Sequence, residues 1–327
     1  MSFFSFPPII RMLAKPRCGE SGCHNEGYYM VRVGHMRCSA HIDPHHHQLE
    51  SPLTHKQYQQ IEFASFVRQL FDECLRRNVR GAVECLPLAT LKTRVPLDWL
   101  GLQWLCVFPH GAKRYDGHSV PDLTPSSMGP VAHGEPGMPD TLFLENFHQA
   151  TLCWPGEVDA VGQVLPIWRE RRDQLMVNVK GEHHKLSPIE RVKRQPLYAM
   201  HVTITGEERY YTLVEARVFY GCWYEHLVVE RPAFLLLRSY RETRGISLRI
   251  TGKGLGARAL RGIHADAFYA DFVDPELPLG HEHMLAAMLL AAGQECQELP
   301  WRRYLRLHPT RFEGMCLPAP AVFENLK

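Results

Sequence analysis

Residues 198–227 read YAMHVTITGEERYYTLVEARVFYGCWYEHL, and the change of period inside this run sets the fold class. Tyr198 to Ile204 alternates enough for a strand, and Val214 to Leu227 then places Val214, Val218, Cys222 and Trp223 near one face of a helix. Val218 and Trp223 are therefore expected in the core. Outward from this run, Leu102–Phe108 (LQWLCVF) reads as a buried strand, and Thr141–Cys153 has helical spacing until Trp154-Pro155-Gly156 stops it. A helix is expected after Pro232, a short strand at Ser247–Thr251 and another helix at Gly280–Ala292. Isolated strands among long helices predict an α+β fold with a helix-rich main domain, not a regular βαβ series.

Between these elements, Pro109 to Pro139 is rich in Gly, Pro, Ser and Asp and reads as a long irregular connection, a feature that is often functional. Residues Trp168 to Pro188 are strongly charged, contain His183-His184-Lys185, and read as an exposed element followed by a connection. Upstream, Thr54 caps a helix with Gln57 returning the bond, and Phe63, Phe66, Val67, Leu70, Phe71, Cys74 and Leu75 recur at helical spacing to about Arg77. Phe66 and Leu70 belong to its buried stripe. Gly252, Gly254 and Gly256 in TGKGLGAR lack the spacing of a phosphate loop and read as a flexible turn.

Near the N-terminus, Cys18 and Cys23 form a C-x4-C pair, and Cys38 and His41 form a C-x2-H pair. Zinc favours four tetrahedral thiolate or imidazole ligands, which two short pairs supply. Between them Tyr28–Val33 is β-prone, Gly34 offers a turn and Met36-Arg37 leads back, so a small hairpin would bring the pairs together. Four protein ligands leave no open position, so the expected role is structural Zn2+, stapling a segment too small to fold alone. The organisation expected is a zinc-binding module at 1–50 and an α+β main domain at 51–327. His45-His46-His47 reads as a solvated loop after Pro44.

Composition bounds the partners. Lys and Arg number 37 against 35 Asp and Glu, a net charge of +2, so nucleic acid is not indicated by a bulk field. The longest uncharged apolar stretch, Met284 to Gly293, is far short of the roughly 20 residues that cross a bilayer. The start, MSFFSFPPII, lacks a charged segment ahead of a long apolar one, and an intracellular location is expected. Seven of the ten cysteines are scattered singly from Cys74 to Cys316 in apolar surroundings, the usual setting of reduced core thiols.

The densest polar cluster is LENFHQATLCWPGEVD, residues 144–159. On a helix, Glu145, His148 and Gln149 point toward one side. A buried carboxylate beside an amide can polarise water or hold a sugar hydroxyl, and Glu157 or Asp159 would supply the second carboxylate of glycosyl-bond cleavage. A solvated helix face is the plainer alternative. In the second cluster Arg217, Tyr220 and Tyr224 suit a phosphate and a flat base, although Glu215 offers Arg217 a partner. In the third, Gly280 precedes a helix whose first turn carries His281, Glu282 and His283, with amides that would face an anion.

The run Glu145-Asn146-Phe147-His148-Gln149-Ala150 resembles the E-x-x-x-Q-A core of NADAR domains, a family linked to cleavage of N-glycosidic bonds in ADP-ribose-like molecules and riboflavin precursors. Where that pattern has Lys after the Gln-Ala pair, this chain has Leu152. TPSSMGPV at 124–131, LENFHQ at 144–149, EARVFYGCWYEHL at 215–227 and GHEHML at 280–285 also look like conserved proteins of large DNA viruses, which implies the cytoplasm or nucleus of a host. The first resemblance implies an N-glycosidase-like hydrolase acting on a nucleotide-derived small molecule. In it Glu145 or Glu157 activates water, Gln149 or His281 positions the ribose, Arg217 holds phosphate and Tyr220 stacks on the base. The competing expectation is a noncatalytic zinc-stabilised binding or assembly protein, such as a virion component.

Overall fold

The structure, a computed structural model, describes residues 29–32, 35–37, 80–87, 105–110, 118–181, 195–252, 265–277, 279–292 and 298–323. The four expected zinc ligands Cys18, Cys23, Cys38 and His41 lie outside the described residues. So do the helix expected from Thr54 to Arg77 with Phe66 and Leu70, the runs 45–47 and 183–185, and Gly254 and Gly256. The hairpin expected between the two ligand pairs is described: β1 (Tyr29–Arg32) pairs antiparallel with β2 (His35–Arg37).

The elements that follow are β3 (Val83–Pro87), β4 (Leu105–Phe108), β5 (His118–Ser119), α1 (Leu144–Thr151), β6 (Leu152–Cys153), α2 (Pro166–Met176), β7 (Tyr198–Val202) and β8 (Glu208–Tyr211). After them come α3 (Leu213–Val228), α4 (Pro232–Glu242), β9 (Leu248–Gly252), α5 (Ala265–Val273), α6 (His281–Ala292) and α7 (Pro300–Leu307). Helices and strands are mixed, as the sequence predicts for α+β. The strands divide into a parallel sheet of order β3-β9-β4-β5 and an antiparallel sheet of order β6-β7-β8.

In the parallel sheet β4 and β9 are buried along their whole length, which is why LCVF carries no polar alternation. Arg249 in β9 is the exception in composition. It lies opposite Glu84 of β3 in register and forms an ion pair with it, so the buried charge is matched within the sheet. Helix α6 packs on β3 and β9, and its N-terminus sits at the carboxyl ends of the strands: His281 Nε2 is 2.8 Å from the carbonyl of Pro109, just past β4. Parallel α/β layers commonly place ligand sites at that edge.

Helix α3 is the central post, touching α1, α5, α6, α7 and β7. Its start is set locally: the Thr212 hydroxyl accepts from the Glu215 amide while the Glu215 carboxylate accepts from the Thr212 amide, a reciprocal cap that satisfies two otherwise unpaired donors. Val218 and Trp223 are buried, as the periodicity predicts. Gly221 lets Trp301 of α7 approach closely; a β-carbon there would lie 2.6 Å from the indole. Glu225, fully buried on the same helix, accepts from Trp301 Nε1 at 2.6 Å, Arg302 Nε at 2.8 Å and the Ala321 amide at 2.6 Å.

Helix α1 is shorter than the helical spacing of 141–153 suggests, because Leu152 and Cys153 leave it to pair with β7. The charged stretch from Trp168 is the helix α2, and its Trp168 is fully buried against Cys153 and Met200 in a small second core. The connection from 118 to 139 is mostly irregular, with two short 3-10 turns at Pro121–Leu123 and Pro125–Ser127. Among the described residues no helix is long and apolar enough to cross a membrane.

Candidate ligand site

The packing of α1 against α3 brings two of the three polar clusters together. Glu145 is buried, at 5% exposure, and its Oε1 accepts a hydrogen bond from Gln149 Nε2 at 3.1 Å, the one-turn spacing read from the sequence. The other amide atom, Gln149 Oε1, is buried without a hydrogen-bond partner among the described residues. His148, three residues on from Glu145 along α1, lies with its ring centroid 4.7 Å from that of Tyr220 on α3. Burial pushes the His148 imidazole below its ordinary range, opposed by the Glu145 carboxylate and reinforced by the Arg217 cation. Tyr220 is pushed well above the usual phenol range by burial first and then by Glu145, so it keeps its proton.

These side chains back onto a hollow of about 350 Å3, whose lining includes His148, Trp154, Arg217, Tyr220, Glu276 and Leu279. That volume is at the lower end of the range for small-molecule sites, roughly 300–1,000 Å3. Arg217 shapes one wall. Its Nη1 donates to the carbonyls of Phe272 and Asp274, each at 2.7 Å, and its Nη2 to those of Pro275 at 3.4 Å and Leu277 at 2.5 Å. The guanidinium therefore closes the C-terminal end of α5, where carbonyls without helical partners favour a cation. Burial lowers its pKa, with Asp274 acting against that. Among the described residues no carboxylate comes within ion-pair distance of Arg217, and Nε takes part in none of these bonds.

The remaining expected site residues sit elsewhere. Glu157 is not on the lining: Arg171 Nε meets its Oε1 at 2.5 Å and Arg171 Nη2 its Oε2 at 3.0 Å, while the same guanidinium donates to the carbonyls of Gln149 and Leu152. That arrangement ties the end of α1 to α2. His281 is likewise off the lining and reaches the cluster only through Tyr224, 6.2 Å away between ring centroids, which is itself 6.2 Å from Tyr220. Glu145 and Gln149 are off the lining, with Glu145 near enough to bear electrostatically on His148 and Tyr220. The structure thus brings Arg217 and Tyr220 to the hollow and leaves Glu145, Gln149, Glu157 and His281 off its lining.

Three residues acquire a place that their sequence context did not assign. His148 shares a helix face with Glu145, so its spacing carried the signal. Trp154, read as part of a helix stop, lines the hollow, and no periodic pattern marks it. Glu282 is buried at the carboxyl end of β9, where Gly252 makes room: a β-carbon on that glycine would lie 1.8 Å from the Glu282 carboxylate. His281 Nδ1 lies 3.5 Å from its carboxylate. Among the described residues no group of three or more His, Cys, Asp and Glu side chains is placed to hold a metal ion. No family model, curated protein or solved structure matches the chain.

Proposed function

We propose that the chain is an N-glycosidase-like hydrolase acting on a nucleotide-derived, ADP-ribose-like small molecule in the hollow between α1 and α3. The observation that carries this reading is the grouping of His148, Arg217 and Tyr220 on one lining, with the Glu145 carboxylate near enough to bear electrostatically on His148 and Tyr220. Neutral His148 takes a proton from water as its oxygen attacks the anomeric carbon. Glu145 favours the imidazolium that forms, and Gln149 holds the carboxylate in place. The carbon–nitrogen bond breaks with its electron pair on the departing nitrogen, which takes a proton from solvent water while the protonated Tyr220 phenol donates a hydrogen bond to it. Arg217, which has no carboxylate partner among the described residues, faces the anionic part of the ligand through its charge and its remaining N–H.

Incubation with ADP-ribose and nucleotide N-glycosides, followed by chromatography of the released base, tests this directly. Wild-type protein is expected to release base, Glu145→Gln to slow turnover at least about 100-fold with binding retained, and His148→Gln to do the same. Wild-type protein that leaves every such N-glycoside intact would sink the reading.

A second reading is favoured by a specific observation. Glu157 is committed to Arg171 and Arg217 to four carbonyls, so both serve the protein's own architecture. A noncatalytic binding or assembly protein uses such groups this way. Ligand binding at the hollow without turnover would select it. In either case we propose one structural zinc held by Cys18, Cys23, Cys38 and His41, on the strength of their spacing about a hairpin. Elemental analysis of protein purified without chelators is expected to find about one zinc per chain.

A further inference from the structure

The hollow described above has a neighbour. A more open groove of about 690 Å3 shares Leu213 and Pro275 with it and is lined farther out by Tyr198, Tyr210, Tyr211 and Arg311. The two hollows adjoin at these shared residues, so one extended molecule can reach from one into the other. We propose that this groove is a second subsite, which takes a planar nucleobase at the far end of the ligand, separated by the phosphates from the N-glycosidic bond that His148 and Tyr220 address, while the phosphates stay at Arg217. The proposal rests on the functional reading of the first hollow and adds the size and direction of the ligand.

Three observations carry it. The first is volume: about 350 Å3 is small for a ligand with a base, two sugars and two phosphates, and the adjoining groove offers space for the rest of such a molecule. The second is the chemistry of the groove. Tyr210 is 45% exposed, and its ring meets that of Tyr198 edge to face with centroids 5.2 Å apart, while the Tyr198 hydroxyl is fixed by donating to the Gly162 carbonyl at 2.9 Å. A held aromatic pair with an open face is a surface on which a base stacks.

The third observation sets the direction. Arg311 in the groove is matched in charge: its Nε donates to Glu215 Oε1 at 2.7 Å and its Nη2 to Glu215 Oε2 at 3.0 Å, and it lies 5.3 Å over the Tyr211 ring. Among the described residues, Arg217 in the first hollow meets only carbonyls. Glu276 borders that hollow and Asp274 is near, yet neither forms an ion pair with Arg217. The unmatched cation therefore attracts the phosphates into the first hollow, and the charge-balanced aromatic groove receives the neutral ring.

Binding of three probes separates the possibilities: ADP-ribose, which has both parts, adenosine, which lacks the phosphates, and ribose 5-phosphate, which lacks the base. Tyr210→Ala is expected to weaken ADP-ribose and adenosine at least about tenfold and to leave ribose 5-phosphate unchanged, with Tyr210→Phe restoring wild-type affinity. Equal weakening of ribose 5-phosphate, or no effect on ADP-ribose, overturns the proposal. If an N-glycoside of ADP-ribose, with its second base on the ribose distal to adenine, is cleaved there with a KM that Tyr210→Ala does not alter, the subsite falls and the hydrolase stands. If adenosine binding depends on Tyr210 while nothing is cleaved, the subsite stands and the hydrolase falls. Wild-type protein that binds none of the three removes both.

Discussion

Arg217 shows how far a single side chain can be read in advance. Its chemistry, a planar fork of donors on a permanent cation, follows from its identity. Its partners do not: Glu215, two residues away, turns to Thr212 and Arg311, and Arg217 reaches 55 to 60 residues along the chain to the carbonyls after α5. Arg217→Ala is expected to destabilise the protein by about 1.5–3 kcal/mol through lost charge-assisted hydrogen bonds. Urea unfolding measures that loss, and faster amide exchange at residues 274–277 would locate it. Arg217→Lys keeps the charge but cannot span four carbonyls, so exchange there should stay fast while stability partly recovers.

At the scale of elements, α3 was evident from its periodicity, and the Thr212-Glu215 cap that the structure shows at its start is equally local. What it supports was not. Glu225 reads as a polar residue on a helix face, yet it is fully buried and joins α3 to α7 and to the segment at Ala321. Removing one partner of a buried ion pair leaves the other charge unmatched, so Glu225→Ala is expected to cost about 3–5 kcal/mol in chemical denaturation. A loss below about 1 kcal/mol would place Glu225 among ordinary surface carboxylates. Helix α1 shows the reverse case: helical spacing ran to Cys153, but pairing with β7 claimed its last two residues. Periodicity has no access to strand partners 45 and 47 residues away.

For the molecule as a whole, burial of histidine sets an acid response. Burial pushes His118 down to about 4 and His283 down to about 3, the latter helped by Arg217 and His281, and His201 lies well below its ordinary range for the same first reason. The folded state then holds fewer protons than the unfolded chain below about pH 6.5. Stability from these groups is complete above that pH and declines as pH falls toward 4 and 3, by at most about 1.4 kcal/mol per pH unit for each histidine. Stability measured by urea from pH 7 to 4 should fall accordingly, and His283→Gln should flatten the slope by one proton's share. An identical slope in that variant would assign the acid response to other groups.

The mixture of helix and strand, the starts of α3 and α4, the hairpin at Tyr29–Arg37 and the buried stripe through Val218 and Trp223 were all written in nearest-neighbour patterns, because period, capping and proline geometry act over a few residues. The spacing of Glu145, His148 and Gln149 belongs with them. Which clusters would meet was settled by packing. Helices α1 and α3 abut, so Glu145 and Tyr220 share a site. Glu157 is drawn instead to Arg171 on α2, and His281 to the end of β4. The parallel order β3-β9-β4-β5 likewise joins strands separated by more than 160 residues. Such choices depend on how apolar faces are buried together and buried charges matched across the whole chain, a balance of long-range terms that no local pattern contains.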